Sequence, residues 1–558
     1  MCGIFAYLSN STISEELQQK LIKEGFKSKH RGPDNTNYRL ERENIFLMFH
    51  RLRVNDLTDK GDQPFTHPED YNIILICNGE IYNHKVLEKK YDFDMVSTSD
   101  CEVILHLYKK FGFKKTISML DGVFACVVID LRDQQQKIFA ARDRIGVRSM
   151  YMGHNDNQDY GFSSEMKSLQ NVCDHIEQFK PGHIWSSETN SFTKYWDIYS
   201  EFNKSTLIES DESQIQLEIR QQLTKAVQKR MMSDRQIGCL LSGGLDSSLI
   251  AGILSREYKE GTLHTYSVGL EGATDLKYAR IVADHLKTEH HELIVTENMM
   301  IDALKKVIYQ LETWDITTIR ASTPMVLLSQ FIFKTSKDAV IFSGEGSDEA
   351  SGSYLYFHNA PNVEAFKMET IRLLSDLCYY DCKRCDEATA GAGLEVRVPF
   401  LDIEFLDYYM NIDSQLKMPT EKRAEKHLLR SSFTGMDLIP DEVLWRTKEA
   451  MSDGVSSVKR GWFEIIQDHA NAKYTDSEFQ TLQKKYTWHP PQTKEALYFR
   501  EIFNEFYPNR CETIPYTWLP KWSGDIVDPS ARVLDVYDHQ NKKTNENDNI
   551  LPPASKTI

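Results

Sequence analysis

Leu240-Leu-Ser-Gly-Gly-Leu-Asp-Ser-Ser248 is the stretch that decides the fold of the larger part of this chain. The apolar run at 237–241 predicts a strand, and residues 248–256 predict a helix. The two glycines let backbone N–H groups face an anion, while the serine hydroxyls and the helix N-terminus add donors and a positive dipole. The spacing fits neither a Walker A loop nor a dinucleotide fingerprint. We therefore predict an anion-binding loop in an α/β domain.

Strands and helices alternate around this loop. A helix is predicted at 214–231, a strand at 264–268, a helix at 276–286, and a strand at 339–342 that leads into Ser343-Gly-Glu-Gly-Ser-Asp-Glu349. This alternation predicts a parallel sheet. Because such sheets bind ligands at the carboxyl ends of their strands, the second glycine turn is expected at the same site.

The first 200 residues show a different pattern. Short β-type runs at 72–77, 123–129 and 137–141 are separated by turn signals and by a helical stretch at 101–108. This pattern predicts sheets covered by helices.

The remaining segments suggest domain limits. Residues 199–213 are polar and predict a linker, 365–520 predict mainly helix, and 533–558 predict a disordered tail. We expect one domain at 2–200 and a second at 214–525.

The chain begins Met-Cys-Gly-Ile-Phe-Ala-Tyr-Leu8. Methionine aminopeptidase removes Met1 before a small residue, so we expect Cys2 to carry both a thiol and a free α-amine. That amine titrates at about pH 8 and can take the thiol proton. The run from Ile4 to Tyr7 predicts a buried strand that fixes this terminus. On its own Cys2 is also compatible with an ordinary cysteine near a chain start.

Composition narrows the class of protein. A chain of 558 residues is too long for one core, and a net charge of -16 argues against a nucleic-acid-binding protein. The sequence has no apolar run near 20 residues, and its start lacks the features of a secretory signal, so no membrane partner is expected. Ten cysteines in this length favour a reduced, cytoplasmic protein over a disulfide scaffold.

Taken together, the two strings resemble the glutamine-hydrolysing asparagine synthetases, members of the class II glutamine amidotransferases. The 240–248 loop itself resembles the pyrophosphate loop of ATP pyrophosphatases. The resemblance extends to about residue 532 and includes HRGPD (30–34), FHRL (49–52), NGEIYNH (78–84), SDCEVIL (99–105), DGVFA (121–125), ARDRIGVR (141–148), FSSEMKSL (162–169), SGEGSDE (343–349), EVRVPFLD (395–402), EKHLLR (425–430) and WRTKEAMSDGV (445–455).

The resemblance implies an α/β protein of two parts. The first is an α+β N-terminal nucleophile hydrolase sandwich with αββα layers, and the second is a parallel-sheet ATP pyrophosphatase-type domain. It implies that glutamine is hydrolysed to release ammonia and that ATP, with Mg²⁺, adenylates aspartate. Ammonia then passes through an internal tunnel and displaces AMP, which gives asparagine, AMP, pyrophosphate and glutamate. The expected partners are these small molecules, and a homodimer is compatible with this expectation.

The resemblance also assigns the glutaminase residues. Cys2 is the expected nucleophile, and Asn78 with the Gly79 N–H supplies the oxyanion donors. Arg51 is expected on the substrate carboxylate and Asp100 on its amine. Without the resemblance, Asn78-Gly79 would be a hairpin turn, Asp100 a helix N-cap and Arg51 a surface arginine. The implied glutamine-binding set is Arg51, Leu52, Arg53, Val54, Asn55, Asn78, Gly79, Glu80 and Asp100.

For the synthetase half, the resemblance implies that Glu345 is the catalytic carboxylate linked to forming the aspartyl-AMP intermediate, with a role as proton acceptor from incoming ammonia. Asp246 and Asp348 are the expected Mg²⁺ ligands, and Lys426 and Arg446 are further candidates for the pyrophosphate pocket. The implied ATP-binding set is Leu241, Ser242, Asp246, Ser247, Val268, Ser343, Gly344 and Lys448.

The chain departs from the family pattern at several positions. Residues 350–354 read Ala-Ser-Gly-Ser-Tyr instead of VFGGY, and Arg144 and Ser149 stand where prolines are common. Asp386-Glu387 replaces an Asp-Arg or Asn-Lys pair, which removes a cation expected near the aspartate carboxylate.

One cysteine cluster and the function itself are open to alternative interpretations. Cys378, Cys382 and Cys385 have the spacing of an iron–sulfur site, but we interpret them as a small apolar helix face. The rival functions are a related amidotransferase or β-lactam-type synthetase acting on another carboxylate, and an inactive nucleotide-binding relative. Intact Cys2, Arg51 and Asp100 disfavour the lactam type.

Overall fold

The computed structural model describes residues 1–204, 211–259, 261–420, 423–446, 448–449, 451–457 and 460–534. Residues 205–210 of the predicted linker and 535–558 of the predicted tail lie outside the described residues.

Two antiparallel sheets form the N-terminal part. Their strand orders are β10-β8-β9-β1-β3-β2 and β12-β11-β7-β6-β5-β4. The strands are β1 (Gly3–Leu8), β2 (Asn35–Glu41), β3 (Ile45–Arg51), β4 (Phe65–His67), β5 (Asp70–Ile81), β6 (Gly122–Asp130), β7 (Lys137–Arg142), β8 (Tyr151–His154), β9 (Tyr160–Ser163), β10 (His175–Gln178), β11 (His183–Ser186) and β12 (Ser191–Lys194). The helices are α1 (Glu15–Gly25), α2 (His84–Tyr91), α3 (Val103–Phe111), α4 (Phe113–Met119) and α5 (Ile198–Phe202).

The alternation of β1 shows how the layers arise. Ile4, Ala6 and Leu8 point into a core shared by the two sheets, because successive side chains of a strand face opposite ways. Phe5 and Tyr7 point outward into a cluster that includes α1 residues. The outer face of the other sheet packs on α2, α3 and α4. The predicted αββα sandwich is confirmed.

One parallel sheet of order β15-β14-β13-β16-β17 organises the C-terminal part. Its strands are β13 (Ile237–Leu240), β14 (His264–Leu270), β15 (Glu289–Val295), β16 (Val340–Phe342) and β17 (Glu395–Arg397). The helices are α6 (Glu212–Lys229), α7 (Leu245–Glu257), α8 (Thr274–Leu286), α9 (Glu297–Leu311), α10 (Ile316–Thr335), α11 (Ser347–Ser351), α12 (Val363–Asp376), α13 (Asp381–Ala390), α14 (Ile403–Asn411), α15 (Ser414–Lys417), α16 (His427–Phe433), α17 (Asp441–Leu444), α18 (Met451–Gly454), α19 (Trp462–Lys473), α20 (Asp476–Leu482) and α21 (Lys494–Phe506).

The strand order reverses between β13 and β16. The chain adds β14 and β15 on one side of β13, then returns to add β16 and β17 on the other. The loops that follow β13 and β16 therefore meet at a topological switch point, where open α/β sheets bind ligands. Their contact is close, since a Cβ atom on Gly344 would lie only 2.7 Å from the backbone nitrogen of Ser247. Gly243 has a φ of +70°, a conformation that a residue with a side chain rarely adopts.

Buried charged groups join the two parts. The Arg31 guanidinium lies 2.6 Å from Asp386, and both side chains are fully buried. The carboxylate of Glu312 accepts hydrogen bonds of 2.7 Å from the backbone N–H groups of Met166 and Lys167. Because such bonds need fixed geometry, the two parts hold one arrangement. Among the described helices, none combines the length and apolarity that crossing a membrane requires.

Candidate active sites

Cys2 lies directly before β1, a strand in the interior of its sheet. Its backbone N–H donates to Asn78 Oδ1 at 3.0 Å, and its Sγ lies 3.7 Å from the carbonyl oxygen of Leu52. Burial raises the pKa of the Cys2 thiol to about 11. With Met1 attached, the terminal amine belongs to Met1, donates to the Leu394 carbonyl at 3.1 Å, and has its pKa lowered by burial to about 6.

Asn78 lies on β5, and of the two polar atoms of its side-chain amide only Oδ1 has a hydrogen-bond partner among the described residues. Its Oδ1 accepts the N–H of Cys2, while its buried Nδ2 finds no hydrogen-bond partner among the described residues. A buried N–H without a partner costs free energy in the resting protein. This donor lies on the same amide that holds Cys2, so the oxyanion role predicted for Asn78 stays a prediction that this geometry allows.

Two carboxylates converge beside this strand. Asn55 Nδ2 donates to Glu80 at 2.6 Å and to Asp100 at 3.3 Å, and Asp100 also accepts the N–H of Ile81 at 2.6 Å. Burial raises the pKa of both carboxyls, and repulsion from Glu395 adds to both shifts; Asp100 raises the pKa of Glu80 further. The Arg397 guanidinium lies 3.2 Å from Glu80. A cationic ligand is what this buried acidic pair can accept.

Arg51 and Arg53 lie next to these groups but are engaged with their own loop. Arg51 Nη1 donates to Asp62 at 2.5 Å and to the Thr58 carbonyl at 2.7 Å. Arg53 Nη2 pairs with Asp62 at 2.9 Å and with Asp59 at 2.5 Å. The predicted contact of Arg51 with a substrate carboxylate stays a prediction. Val54 contributes its carbonyl, which accepts the Asp234 N–H from the other part of the chain at 2.9 Å.

A second site is a cavity of about 180 Å³ at the switch point of the parallel sheet. It brings together all the residues that the sequence predicts to bind ATP, and with them the predicted carboxylates Glu345 and Asp348. The members that line it are Leu241, Ser242, Asp246, Ser247, Val268, Ser343, Gly344, Glu345, Asp348 and Lys448.

Cations and carboxylates alternate along one wall of this cavity. Lys426 Nζ lies 2.6 Å from Asp246 and 2.5 Å from Asp348, and Lys448 Nζ lies 2.5 Å from Asp348. Burial alone would raise the pKa of Asp348, but the two lysines outweigh it and hold that pKa well below its usual range. Burial would lower the pKa of Lys448, yet Asp348 raises it. Lys426, which the sequence offered only as a further candidate for the pyrophosphate pocket, therefore joins the two carboxylates Asp246 and Asp348.

Glu345 faces the same cavity from the loop after β16. Burial raises the pKa of its carboxyl, and Arg384 partly offsets this. Arg384 Nη2 donates to Glu345 Oε2 at 2.5 Å. Arg384 is absent from the residues that sequence reasoning selected, although it lies three positions before the departure at Glu387 and within the same helix, α13.

Three departures from the family pattern, at Ser353, Ser149 and Glu387, form hydrogen bonds in two places. Ser353 donates to Asp348 at 2.5 Å, so the added hydroxyl serves the cavity. Glu387 is absent from the cavity lining. It lies instead between the two parts of the chain, where it accepts from Ser149 at 3.2 Å and from Lys383 at 2.8 Å. The expected effect of Glu387 on an aspartate contact in the cavity therefore finds no geometric basis.

The cysteine spacing does not form one helix face. Cys378 belongs to a separate 3-10 turn at 377–379, and only Cys382 and Cys385 lie on α13. All three are buried, as an apolar role requires. Across the described part of the chain, no group of three or more His, Cys, Asp or Glu side chains is placed to hold a metal ion.

Comparison with known proteins gives these two sites a family. The model of the Asparagine synthase family matches residues 218–376 and 361–528, and that of the Glutamine amidotransferase domain matches residues 1–193. The glutamine-hydrolyzing asparagine synthetase of Gallus gallus is 42% identical over 566 residues, which cover 96% of this chain and 99% of the relative. The chain belongs to the glutamine-hydrolysing asparagine synthetase family. The human and rat asparagine synthetases are each 40% identical over 569 residues, with the same shares covered.

Membership of the asparagine synthetase family confirms the resemblance inferred from the motifs. It also covers both sites, since one family model spans the sandwich and the other spans the parallel-sheet part. These matches do not favour the β-lactam-type alternative, because the relatives that match over nearly their full length are named asparagine synthetases.

Proposed function

We propose that this protein is a glutamine-dependent asparagine synthetase, a ligase with glutamine as amido-nitrogen donor. It hydrolyses glutamine at Cys2, adenylates the side chain of aspartate with ATP, and joins the released ammonia to give asparagine, AMP, pyrophosphate and glutamate. The observation that carries the proposal is the coexistence of two sites in one chain. A buried amide donor without a partner lies beside Cys2, and a lysine-lined cavity lies at the switch point.

The first half-reaction depends on the nitrogen of Cys2. Removal of Met1 turns that nitrogen, held by Asn78 Oδ1 at 3.0 Å, into an α-amine next to the thiol. The amine takes the thiol proton, and Sγ attacks the side-chain amide carbon of glutamine. Asn78 Nδ2 and the Gly79 N–H donate to the oxyanion that forms. Ammonia leaves with a proton from the amine, and water then hydrolyses the thioester to glutamate.

The glutamine backbone is held by charge. The acidic pair Glu80 and Asp100 receives the α-ammonium, which offsets the repulsion that Asp100 exerts on the buried Glu80 carboxylate. Arg51, with Leu52, Arg53, Val54 and Asn55 around it, is assigned to the α-carboxylate side as predicted from sequence.

The second half-reaction uses the cavity. Backbone N–H groups and hydroxyls of the 242–247 loop bind the phosphates of ATP at the start of α7, and Lys426 and Lys448 neutralise the pyrophosphate as it leaves. Asp246 and Asp348 would hold a Mg²⁺ ion, since their carboxylates converge on one point, the Nζ of Lys426. The ion would supply further positive charge for the pyrophosphate.

Glu345 acts at the last step. Ammonia that attacks an acyl-adenylate must lose a proton, and a carboxylate within the cavity can accept it. Its raised pKa makes it a stronger base than an exposed glutamate. Its bond to Arg384 fixes where that base points.

Isotope transfer tests the proposal. The protein is incubated with ATP, Mg²⁺, aspartate and glutamine labelled with ¹⁵N in the amide, and the products are analysed by mass spectrometry and chromatography. We expect labelled asparagine with one AMP per asparagine. Label found only as free ammonia, ADP in place of AMP, or amidation of another carboxylate in preference to aspartate would overturn it. A cytoplasmic location and a homodimer remain predictions from the sequence.

A further inference from the structure

Arg397 on β17 reaches from the parallel-sheet part of the chain to a carboxylate of the glutaminase site. Its side chain is fully buried, and its Nη2 lies 3.2 Å from Glu80 Oε2 on β5. The same Nη2 lies 2.9 Å from Glu395 Oε1, which also accepts the Nε–H at 2.9 Å. As a hydrogen-bond donor Nη2 has no partner among the described residues, so it acts on Glu80 through its charge.

The other polar groups of Arg397 are anchored in the parallel-sheet part. Nη1 donates to the backbone carbonyls of Arg230 and Met232, just beyond the end of α6. The carbonyl of Arg397 itself accepts the N–H of Ser343, the residue that opens the loop carrying Glu345. The sheet therefore sets where the positive charge stands relative to Glu80.

The carboxyl of Glu80 needs a nearby cation before it can attract an ammonium group. Burial raises its pKa, and repulsion from Glu395 and Asp100 raises it further. Arg397 and Arg148 act in the opposite direction, and Arg397 has the larger effect of the two. Because a protonated carboxyl is neutral, it would attract an ammonium group only weakly.

The remaining titratable groups that interact with Glu80 supply no positive charge. Burial raises the pKa of Tyr82 to about 12. A contact with Cys77, together with burial, raises the pKa of the Cys101 thiol well above its usual range. Both groups are therefore neutral near pH 7, and the charge of Glu80 depends on the arginines.

We propose that Arg397 is a positioning residue of the glutaminase, which holds the carboxylate of Glu80 in place to receive the α-ammonium of glutamine. Asn55 Nδ2 and Arg397 Nη2 both approach Oε2 of Glu80, so neither occupies Oε1. This inference rests on the proposed function and adds a residue of the parallel-sheet part to the glutamine site. Since the backbone of Arg397 also holds Ser343, one strand supports both sites.

Three variants and two ligands test this role. Arg397→Met removes the cation, and Arg397→Lys keeps one. Arg320→Met is the matched control, because Arg320 is another buried arginine of the parallel-sheet part that pairs with two carboxylates, Glu495 and Asp528. The ligands are glutamine and glutaramate, which keeps the amide and the carboxylate of glutamine but lacks the α-amine. For each ligand, kcat/KM is measured by ammonia release as a function of pH.

The two ligands should respond differently. Arg397→Met should lower kcat/KM for glutamine about 10- to 100-fold and leave that for glutaramate within about threefold. Loss of the cation raises the pKa of Glu80, so the acid limb of the glutamine profile should move to higher pH while that of glutaramate stays. Arg397→Lys should recover part of the glutamine activity. Arg320→Met should leave the ratio of the two ligands unchanged.

A double variant separates an effect through Glu80 from a general loss of structure. Glu80→Gln removes the charge on which Arg397 acts. Adding Arg397→Met to Glu80→Gln should therefore lower kcat/KM for glutamine by less than about threefold more. A further loss as large as that of Arg397→Met alone would refute the proposal, because Arg397 would then act independently of Glu80.

Two other outcomes would overturn the assignment. An equal loss for glutamine and glutaramate in Arg397→Met would show a structural role only, and an unchanged pH profile for glutamine would show that Arg397 does not control Glu80. Ammonia-dependent asparagine formation by Arg397→Met excludes misfolding, and Arg397→Lys gives the same comparison of ligands if the methionine variant does not fold. Failure of the proposed function is recognised separately, because the unsubstituted enzyme would then release no glutamate from glutamine.

Discussion

Asn78→Ala tests whether the buried amide beside Cys2 exists for catalysis or for stability. In the resting protein, Asn78 Oδ1 accepts one hydrogen bond from Cys2, and Nδ2 has no described partner. Natural proteins rarely leave a buried N–H in this condition. We therefore expect Asn78 Nδ2 to gain its hydrogen-bond acceptor only when the oxyanion forms during glutamine hydrolysis.

The two effects of Asn78→Ala differ in size. Loss of an oxyanion donor should lower kcat for glutamine hydrolysis about 100- to 1000-fold, or about 3–4 kcal/mol of barrier. For folding, the lost bond to Cys2 costs about 1 kcal/mol, while removal of a buried donor without a partner returns about 1–3 kcal/mol. The lost side-chain atoms leave a small cavity that offsets part of that gain. The free energy of unfolding should therefore change by no more than about 1 kcal/mol.

Gln63 is the matched control, because it is also a buried amide but one with both ends paired. Its Nε2 donates to the Cys77 carbonyl at 3.0 Å, and its Oε1 accepts the Cys77 N–H at 2.7 Å. Gln63→Ala leaves two buried backbone groups unpaired and should cost about 2–5 kcal/mol of stability. Its kcat should fall by less than about tenfold, since no donor to the oxyanion is lost.

The assay pairs glutamate release with urea unfolding for both variants, and measures ammonia-dependent asparagine formation as a third quantity. Asn78→Ala should lose glutaminase activity and keep ammonia-dependent synthesis. A loss of kcat below tenfold would refute the oxyanion role. So would a fall in stability as large as that of Gln63→Ala, because Nδ2 would then have a structural partner.

Four further outcomes are expected. Cys2→Ala should abolish glutamine use and keep ammonia-dependent synthesis, measured by glutamate and asparagine release; persistent glutamate release would show another nucleophile. Asp246→Asn should stop AMP formation with either nitrogen source, and normal pyrophosphate release would contradict its place in the phosphate site. Burial raises the pKa of Asp315 from 3.8 to about 6, so its contribution to stability is complete below about pH 4 and is lost as the pH rises through 6. Asp315→Asn should remove that decline, about 3 kcal/mol between pH 4 and 7 in urea titrations, and an unchanged pH profile would exclude the shift. Glu387→Lys should cost about 3–5 kcal/mol because it leaves the buried Lys383 without its carboxylate, and the added change Lys383→Glu should restore most of it; equal stability of both forms would show that the pair is not coupled.

Local patterns predicted the elements that carry strong periodicity. The strand at 237–241 and the helices near 214–231 and 276–286 agree with β13, α6 and α8 within a few residues. β15 was missed because its sequence, Glu289-His-His-Glu-Leu-Ile-Val295, begins with polar residues and lies at the sheet edge. Three-residue strands such as β17 give no periodic signal at all, so only the parallel pairing with β16 identifies them.

The candidate site could be predicted where its residues adjoin a glycine turn. Asp246 and Glu345 belong to such turns, and the sheet topology brings the two turns into contact. Arg384 lies within a helix, where a charged residue usually faces solvent. Only the tertiary placement of α13 shows that its first turn faces the cavity, so its role could not be inferred from spacing.

Ser149 and Glu387, two departures from the family pattern that lie far apart in the sequence, are in contact in the fold. Ser149 replaces a common proline and Glu387 replaces a common cation, and the hydroxyl of the first donates to the carboxylate of the second at 3.2 Å. A proline has no hydroxyl to donate, so each change suits the other. Lys383, one helical turn before Glu387, supplies the positive charge at 2.8 Å. The cation lost at 387 is thus balanced within α13 by Lys383, on the side of the helix that meets the glutaminase half.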